Sequence, residues 1–343
     1  MSTPVDLHQW SRDLIALGLS VRSALRDNAN TAIEARAEVA KTEDSDFIYQ
    51  IDLESEEVIL RWFEENWKDR PPVQLVMEGI ESMGDVIFPK SAQAPEWICI
   101  IDPIDGTRGL MYDKRSAWFI AGMAPIKSNG NLPTLADLKL SVIVELPTSK
   151  AGYADHLAAV KGCGPKGVIC ERIQLFDKSI SPLAPRPYSG TELLHGFASF
   201  CKFFPEGKTL TAEAETAFFQ SLDSTVSAGA PLIFDDQYIS TAGQFYEILM
   251  GHDRMIADLR PEVFNKLGLE AILCCHPYDI AGWLIPHEAG CIIETPDGKT
   301  LNAPLDTTSP ISWIAYANRD MAAAFRPKLN SVRNQLLGST NEP

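Results

Sequence analysis

The sequence has no uninterrupted apolar run of about 18 residues, the length a helix needs to cross a bilayer, so it predicts no membrane span. Met1–Trp10 lacks a basic region followed by an apolar stretch, which argues against a secretory signal. No C-x-x-C pair and no H-E-x-x-H spacing occurs, so neither a zinc ribbon nor a zinc-protease helix is expected. The seven cysteines are odd in number and show no paired spacing. That pattern fits reduced thiols in a cytoplasmic protein, with Cys274-Cys275 inside an apolar run and read as core. Positive charge is scarce: 30 Lys and Arg stand against 46 Asp and Glu, a formal charge of −16. A nucleic-acid or anionic-membrane partner would need a basic face, so neither is expected. An anionic substrate must then be attracted locally, most simply by bound cations. Internal repeats and low-complexity segments are also absent.

What is present is enough chain for a large core: 343 residues, 45% hydrophobic, fit two domains or one layered α/β body. Apolar positions at helical spacing predict one or two helices over residues 5–40, broken by the polar stretch Lys41–Asp46, and another over Leu53–Trp67. Strands are predicted at Val73–Met77, Trp97–Ile101, Trp118–Met123, Leu140–Leu146 and Tyr153–Val160, the last leading into a tight turn at Lys161–Gly164. Strand and helix then alternate: His195–Phe200, Thr211–Leu222, Leu232–Phe234 and Thr241–Leu249. The last block is a strand at Ala271–Cys275, a helix at Tyr278–Ala289 capped by Gly290, short strands at Cys291–Glu294 and Ile311–Tyr316, and a helical tail from Met321. Prolines clustered at Pro182–Tyr188 suggest two parts, 1–185 and 186–343, forming one compact catalytic body.

The chemistry concentrates in Asp102-Pro103-Ile104-Asp105-Gly106-Thr107, after the apolar run Trp97–Ile101. Two carboxylates three residues apart, where a strand ends, can share one cation site. Pro103 stiffens the turn, Gly106 allows close backbone approach, and Thr107 opens a new segment with a hydroxyl and free N–H groups. Hard oxygens beside N–H donors suit Mg²⁺ and a phosphate together, the kit for metal-assisted phosphoester hydrolysis. Three further acidic pieces could converge there: Glu78 and Glu81 after a strand, Asp279 at a helix start, and Asp52 at another. Taken singly, Asp279 and Asp52 are also ordinary helix-start residues.

Asp-Pro-Ile-Asp-Gly-Thr followed about 175 residues later by Tyr278-Asp279-Ile280-Ala281-Gly282 resembles the inositol monophosphatase family of Mg²⁺-dependent, lithium-sensitive phosphatases. The resemblance spans roughly Leu14–Tyr316. It implies an α/β (α+β) fold, a layered α-β-α-β-α sandwich. It makes Asp102 a ligand bridging two metals, with Asp105 and Asp279 on one and Glu78 and the Ile104 carbonyl on the other. Two or three Mg²⁺ ions are implied. Thr107, oriented by Asp52, would help deprotonate the attacking water, Glu78 would belong to the catalytic set, and the Gly106 and Thr107 N–H groups would hold phosphate oxygens. Glu81 remains the alternative to Glu78, because Gly79-Ile80 splits the usual glutamate pair. Tyr49 stands where the family often has Thr, Tyr278 replaces the usual Trp, and Arg108-Gly109-Leu110 follows Thr107, with Arg108 a possible substrate contact.

Other residues read more plainly. Lys114 and Arg115 read as surface or structural charge, Asp235-Asp236-Gln237 as a solvated loop, and His195 and His276 as core or edge residues. Phe197, Phe200, Phe203 and Phe204 read as packing, and Lys202 beside them could reach an anion. The expected function is hydrolysis of a small phosphorylated metabolite by a cytoplasmic homodimer. Alternatives are a 3′(2′),5′-bisphosphate nucleotidase, a fructose-bisphosphatase, a histidinol-phosphatase, or a non-catalytic relative that binds a phosphometabolite.

Overall fold

The computed structural model describes residues 5–27, 39–42, 47–127, 130–222, 233–271 and 273–338. Its elements in chain order begin with α1 (Leu7–Asp27), β1 (Val39–Thr42), β2 (Phe47–Tyr49) and α2 (Gln50–Asn66). Next come β3 (Val73–Met77), β4 (Val86–Phe88), β5 (Trp97–Asp105), α3 (Thr107–Met111), β6 (Ala117–Pro125) and β7 (Leu140–Leu146). β8 (Tyr153–Val160), β9 (Ile169–Gln174), β10 (Ile180–Pro182), β11 (Gly196–Phe200), α4 (Lys208–Leu222) and β12 (Ile233–Phe234) follow. The chain continues through α5 (Thr241–Leu249), β13 (Asp253–Asp258), α6 (Arg260–Leu267), α7 (Pro277–Ile280) and α8 (Leu284–Glu288). It finishes with β14 (Ile292–Glu294), β15 (Trp313–Tyr316) and α9 (Arg319–Leu336).

The strands form an eight-stranded sheet in the order β10-β9-β8-β7-β6-β5-β3-β4, a five-stranded sheet in the order β12-β11-β13-β15-β14, and the antiparallel pair β1-β2. β5 explains its own position. Its side chains alternate between two cores, Cys99 and Ile101 facing one and Ile98 and Ile100 the other. A strand buried on both faces reads as a continuous apolar run, as Trp97–Ile101 does. On the first face, Leu14 and Leu17 of α1 and Ile59 and Phe63 of α2 cover the large sheet. On the second, Phe245 of α5, Ile280 of α7 and Ile285 of α8 fill the space between the large sheet and Ile256 and Trp313 of the small one. The far side of the small sheet is covered by Phe218 of α4, Phe264 of α6 and Phe325 of α9. The layers therefore run α-β-α-β-α, as the resemblance implied.

α1 lies close to the sheet at Gly18, where a Cβ would come within 2.6 Å of Val144 Cγ2 and 2.7 Å of Phe119 Cδ1. Alanine is the better helix former by about 1 kcal/mol, but forcing an atom into packed core costs about 1–3 kcal/mol. Gly18→Ala should therefore lower the urea midpoint; an unchanged or raised midpoint would show that α1 can lift off the sheet without cost.

Several expectations need correction. The helical reading of residues 5–40 holds for Leu7–Asp27, but Val39–Thr42 is a strand, and residues 28–38 lie outside those described. The strand expected at Ala271–Cys275 is not found among the described residues, Ala271 and Leu273–Cys275, where an isolated bridge joins Cys275 to Ile311. The helix expected over Tyr278–Ala289 is broken into α7, a 3₁₀ turn at Ala281–Trp283, and α8. Pro286 removes a backbone donor there, and Gly282 packs so close to β7 that a Cβ would meet Ile143 Cγ2 at 2.8 Å. Gly290, at φ +103, ends the segment as expected. β13 and α6 had no counterpart in the sequence reading, and they matter for the site. No helix among the described residues is long and apolar enough to cross a membrane.

Candidate active site

β5 does not stop at Ile101 but runs on through Asp105, so Asp102 and Asp105 belong to a strand end and not to a turn after it. The pairing with β6 is irregular between these two residues, where Pro103 sits. A proline is tolerated in a sheet at such a bulge because no ladder hydrogen bond is lost. The bulge lets both aspartates reach one point, although they lie three residues apart. Asp102 is buried and its Oδ1 accepts the Ile104 N–H at 2.9 Å. Asp105, also buried, is held from α5: its Oδ2 accepts the Ser240 hydroxyl at 2.8 Å and the Ala242 N–H at 2.7 Å. Asp279, in the first turn of α7, accepts the His276 N–H at 2.6 Å. One carboxylate oxygen from each of Asp102, Asp105 and Asp279 lies within 4.8 Å of the other two.

Three carboxylates this close, Asp102 and Asp105 buried and Asp279 half-buried, resist ionising together. Burial, then Asp105, Asp279 and Glu78, pushes Asp102 well above the usual carboxylate range, against the Ile104 N–H. Burial lifts Asp105 to about 6, opposed by its hydrogen bonds from Ala242 and Ser240. Burial and the charge of Asp105 raise Asp279, opposed by the His276 N–H and by Arg260. Such a cluster needs either protons or a cation, and its donors are all hard oxygens, the set that suits Mg²⁺. The residues present thus fit a divalent metal ion.

The same cavity is lined by Asp52, Glu78, Gly106, Thr107 and Arg108. Gly106 has φ +96, and a Cβ there would lie 2.9 Å from the Ile239 carbonyl oxygen, so the position requires glycine twice over. The Thr107 hydroxyl donates to the Ile104 carbonyl at 2.8 Å and lies 3.3 Å from Asp52 Oδ1, a second acceptor. The Thr107–Asp52 pair, 55 residues apart in sequence, is therefore brought together. Glu78 lines the cavity, outside the 4.8 Å group. Glu81 lies outside the cavity, exposed, where its Oε2 accepts the Gly79 N–H at 2.8 Å. Between the two glutamates, the geometry places Glu78 at the site.

Residues the sequence reading did not single out also line this cavity. Glu56 sits one helical turn beyond Asp52 on α2, and its carboxylate lies against Gly79. That i,i+4 spacing was the available signal. Ser240 caps α5 by accepting the Gly243 N–H while it donates to Asp105; a serine before a helical run was its signal. Arg260 had none, since β13 before it went unread. His276, expected at the core or an edge, lines the cavity and stacks on Tyr278 with ring centroids 5.7 Å apart. Phe203 and Phe204 line it too, whereas Phe200 is buried packing and Phe197 pairs with Phe234 outside. Lys202 lies outside it, held by Glu215 and Asp235. Arg115 stacks on Tyr238 and pairs with Asp236, the structural role expected of it. The Lys161–Gly164 turn donates its Gly162 and Gly164 N–H groups to the Glu288 carboxylate, fastening the β8–β9 hairpin to α8.

No protein-family model matches the sequence, and no curated protein matches it. Solved structures do match. Fructose-1,6-bisphosphatase from Leishmania major aligns with a TM-score of 0.64 at 13% identity, over 97% of this chain and 99% of that one. Inositol monophosphatase from Anabaena (Nostoc) aligns with a TM-score of 0.59 at 15% identity, over 97% and 98%. The inositol monophosphatase of Thermotoga maritima aligns with a TM-score of 0.57 at 18% identity, over 94% and 97%. Along nearly its whole length, the chain has the fold of the inositol monophosphatase and fructose-bisphosphatase structures.

Proposed function

We propose that the protein is a Mg²⁺-dependent phosphomonoesterase acting on a small phosphorylated metabolite. The observation that carries this reading is the convergence of Asp102, Asp105 and Asp279 beside the Gly106-Thr107 start of α3, in one cavity with Asp52 and Glu78. The shared fold with two kinds of phosphatase supports it. The three aspartates would hold the ions, two or three in number, with Glu78 and the Ile104 carbonyl as further ligands. When bound, Mg²⁺ supplies charge stabilisation to the phosphoryl oxygens and makes a bound water more acidic.

The chain's own residues do the rest. The Thr107 hydroxyl has one hydrogen, which Ile104 or Asp52 accepts, so its lone pairs are left to orient the attacking water. Asp52 stands behind it as the proton acceptor. The Gly106 and Thr107 N–H groups hold phosphate oxygens as the group inverts. A phosphate monoester carries about two negative charges near neutral pH. Only neutralised carboxylates and aimed N–H donors make that compatible with a site this acidic.

The direct test is phosphate release from sugar, inositol, histidinol and adenosine phosphates, with Mg²⁺ and with EDTA. Release that requires Mg²⁺ is expected. No release from any of them, by folded protein shown to bind Mg²⁺, would favour a non-catalytic phosphometabolite binder. Thr107→Ala should lower kcat by about 10²-fold, the scale of a positioned acid–base group, with Thr107→Ser retaining most activity. A normal kcat in the alanine variant would remove Thr107 from the mechanism.

A further inference from the structure

The cavity wall opposite in chemistry to the aspartates is built around Arg260, the first residue of α6. Its side chain is only 11% exposed. Nε and Nη2 donate side-on to Asp258, at 2.9 Å to Oδ1 and 2.6 Å to Oδ2. Nη1 donates to the Leu273 carbonyl at 2.8 Å. The guanidinium carbon also lies 5.0 Å from the centre of the Phe203 ring and 5.9 Å from that of Phe204. A guanidinium has five N–H donors, and these partners take three. Among the described residues, one N–H on each terminal nitrogen is left for something in the cavity. Asp258 (1% exposed) and the two rings fix the plane of the fork, so little freedom remains to be lost when an anion docks.

We infer that Arg260 is a specificity residue that receives a second anionic group, a carboxylate or another phosphate, on the substrate whose phosphate lies at Asp102, Asp105 and Asp279. The inference rests on the phosphomonoesterase reading and narrows it to one substrate class. A buried arginine fork matches a carboxylate or phosphate edge through two parallel hydrogen bonds. An ester lacking that group would leave two buried N–H donors unpaired, which is how a polar pocket rejects a neutral analogue. Phe203 and Phe204 close the same wall with apolar surface, so water is a poor substitute partner there. A purely structural clamp, tying Leu273 to Asp258 through Arg260, would use the same three hydrogen bonds but would not read the substrate.

The test uses matched pairs of esters that differ in one anionic group. They are 3-phosphoglycerate against glycerol 3-phosphate, fructose 1,6-bisphosphate against fructose 6-phosphate, and adenosine 3′,5′-bisphosphate against adenosine 3′-monophosphate. With Mg²⁺, at least one anionic member should exceed its partner in kcat/KM by about tenfold or more. Arg260→Lys keeps the charge beside Asp258 but removes the fork, and should cut that ratio to below about threefold, through KM and not kcat. The double variant Asp258→Asn/Arg260→Gln removes both charges together and should do the same. Melting temperatures of both variants report whether the clamp has failed instead. Unequal turnover within pairs that neither folded variant alters, or equal turnover in wild type, overturns the inference and leaves the phosphatase reading intact. Should no ester release phosphate, the same pairs are titrated calorimetrically. Tighter binding of the anionic member, lost in Arg260→Lys, would keep the anion site while the phosphatase reading falls; equal binding would overturn both.

Discussion

Asp102→Asn should abolish Mg²⁺-dependent phosphate release, by at least about 10²–10³-fold in kcat, in a protein that is no less stable than the parent. Both halves of that expectation come from the same geometry. Asp102 is the most crowded of the three aspartates, with Asp105, Asp279 and Glu78 all raising its affinity for a proton. Asparagine is nearly the same shape, and its carbonyl oxygen can still accept the Ile104 N–H that Oδ1 accepts now. What is lost is one negative charge at the point where a divalent ion is expected. Without metal, Asp102 must either hold a proton or bear a buried charge among other carboxylates, and asparagine needs neither, so the metal-free variant should melt at the same temperature or higher. Melting curves in EDTA and kinetics with saturating Mg²⁺ separate the two effects. Turnover within about tenfold of wild type would mean that the carboxylate is not a required ligand. A large drop in melting temperature would mean that it supports the fold.

At a fixed concentration, a hundredfold above its Kd at about pH 8, Mg²⁺ should raise the melting temperature by about 5 °C at that pH and far less at about pH 5. Asp105 titrates near 6 in the folded, metal-free protein, above the ordinary aspartate value of about 3.9. The folded state therefore binds this proton more tightly than the unfolded chain. That contribution to stability is complete below about pH 4 and is lost as pH rises through about 6. Asp102 and Asp279 shift in the same direction, so they extend the loss to higher pH. A metal ion must displace these protons, which makes its binding weak in acid and strong once they have left. The comparison is made with and without Mg²⁺ at each pH, so titrations elsewhere in the molecule cancel. Equal Mg²⁺ shifts at both pH values would argue that the ion binds away from the aspartates.

How much of this was legible in the sequence depended on how local the cause was. Val73–Met77, Leu140–Leu146, Tyr153–Val160 and Thr241–Leu249 coincide with the strands and helix observed, because their apolar patterns are set by burial on one or two faces. The Asp102–Thr107 motif announced its chemistry through residue types alone. Its conformation was less legible: a proline after Ile101 suggested a turn, whereas a bulge carries the strand on to Asp105. Ala271–Cys275 looked like a strand because it is apolar, yet its described residues, Ala271 and Leu273–Cys275, lie in no regular strand, and Cys274 lines the cavity. Arg260 was invisible for a different reason. Its place is set by Asp258 two residues before it, by Leu273 thirteen residues after it, and by Phe203 from a distant loop. No periodicity or motif encodes a juxtaposition of that kind.

The aspartates come from two adjacent layers and from distant parts of the sequence: Asp102 and Asp105 from the end of β5 in the large sheet, Asp279 from α7 in the layer between the sheets. About 175 residues of chain separate the first from the last. Closing a loop of that length is slow compared with forming a helix or hairpin, so the cluster forms only once α7 has docked on β5. During synthesis, Asp102 and Asp105 leave the ribosome long before Asp279 exists to join them. An unfinished chain therefore offers a cation two aspartates of the three, and the cluster is completed only when α7 docks. The site thus reports on long-range assembly: acquisition of the proposed metal-dependent activity during refolding would time the docking of α7 on β5, not the formation of either element.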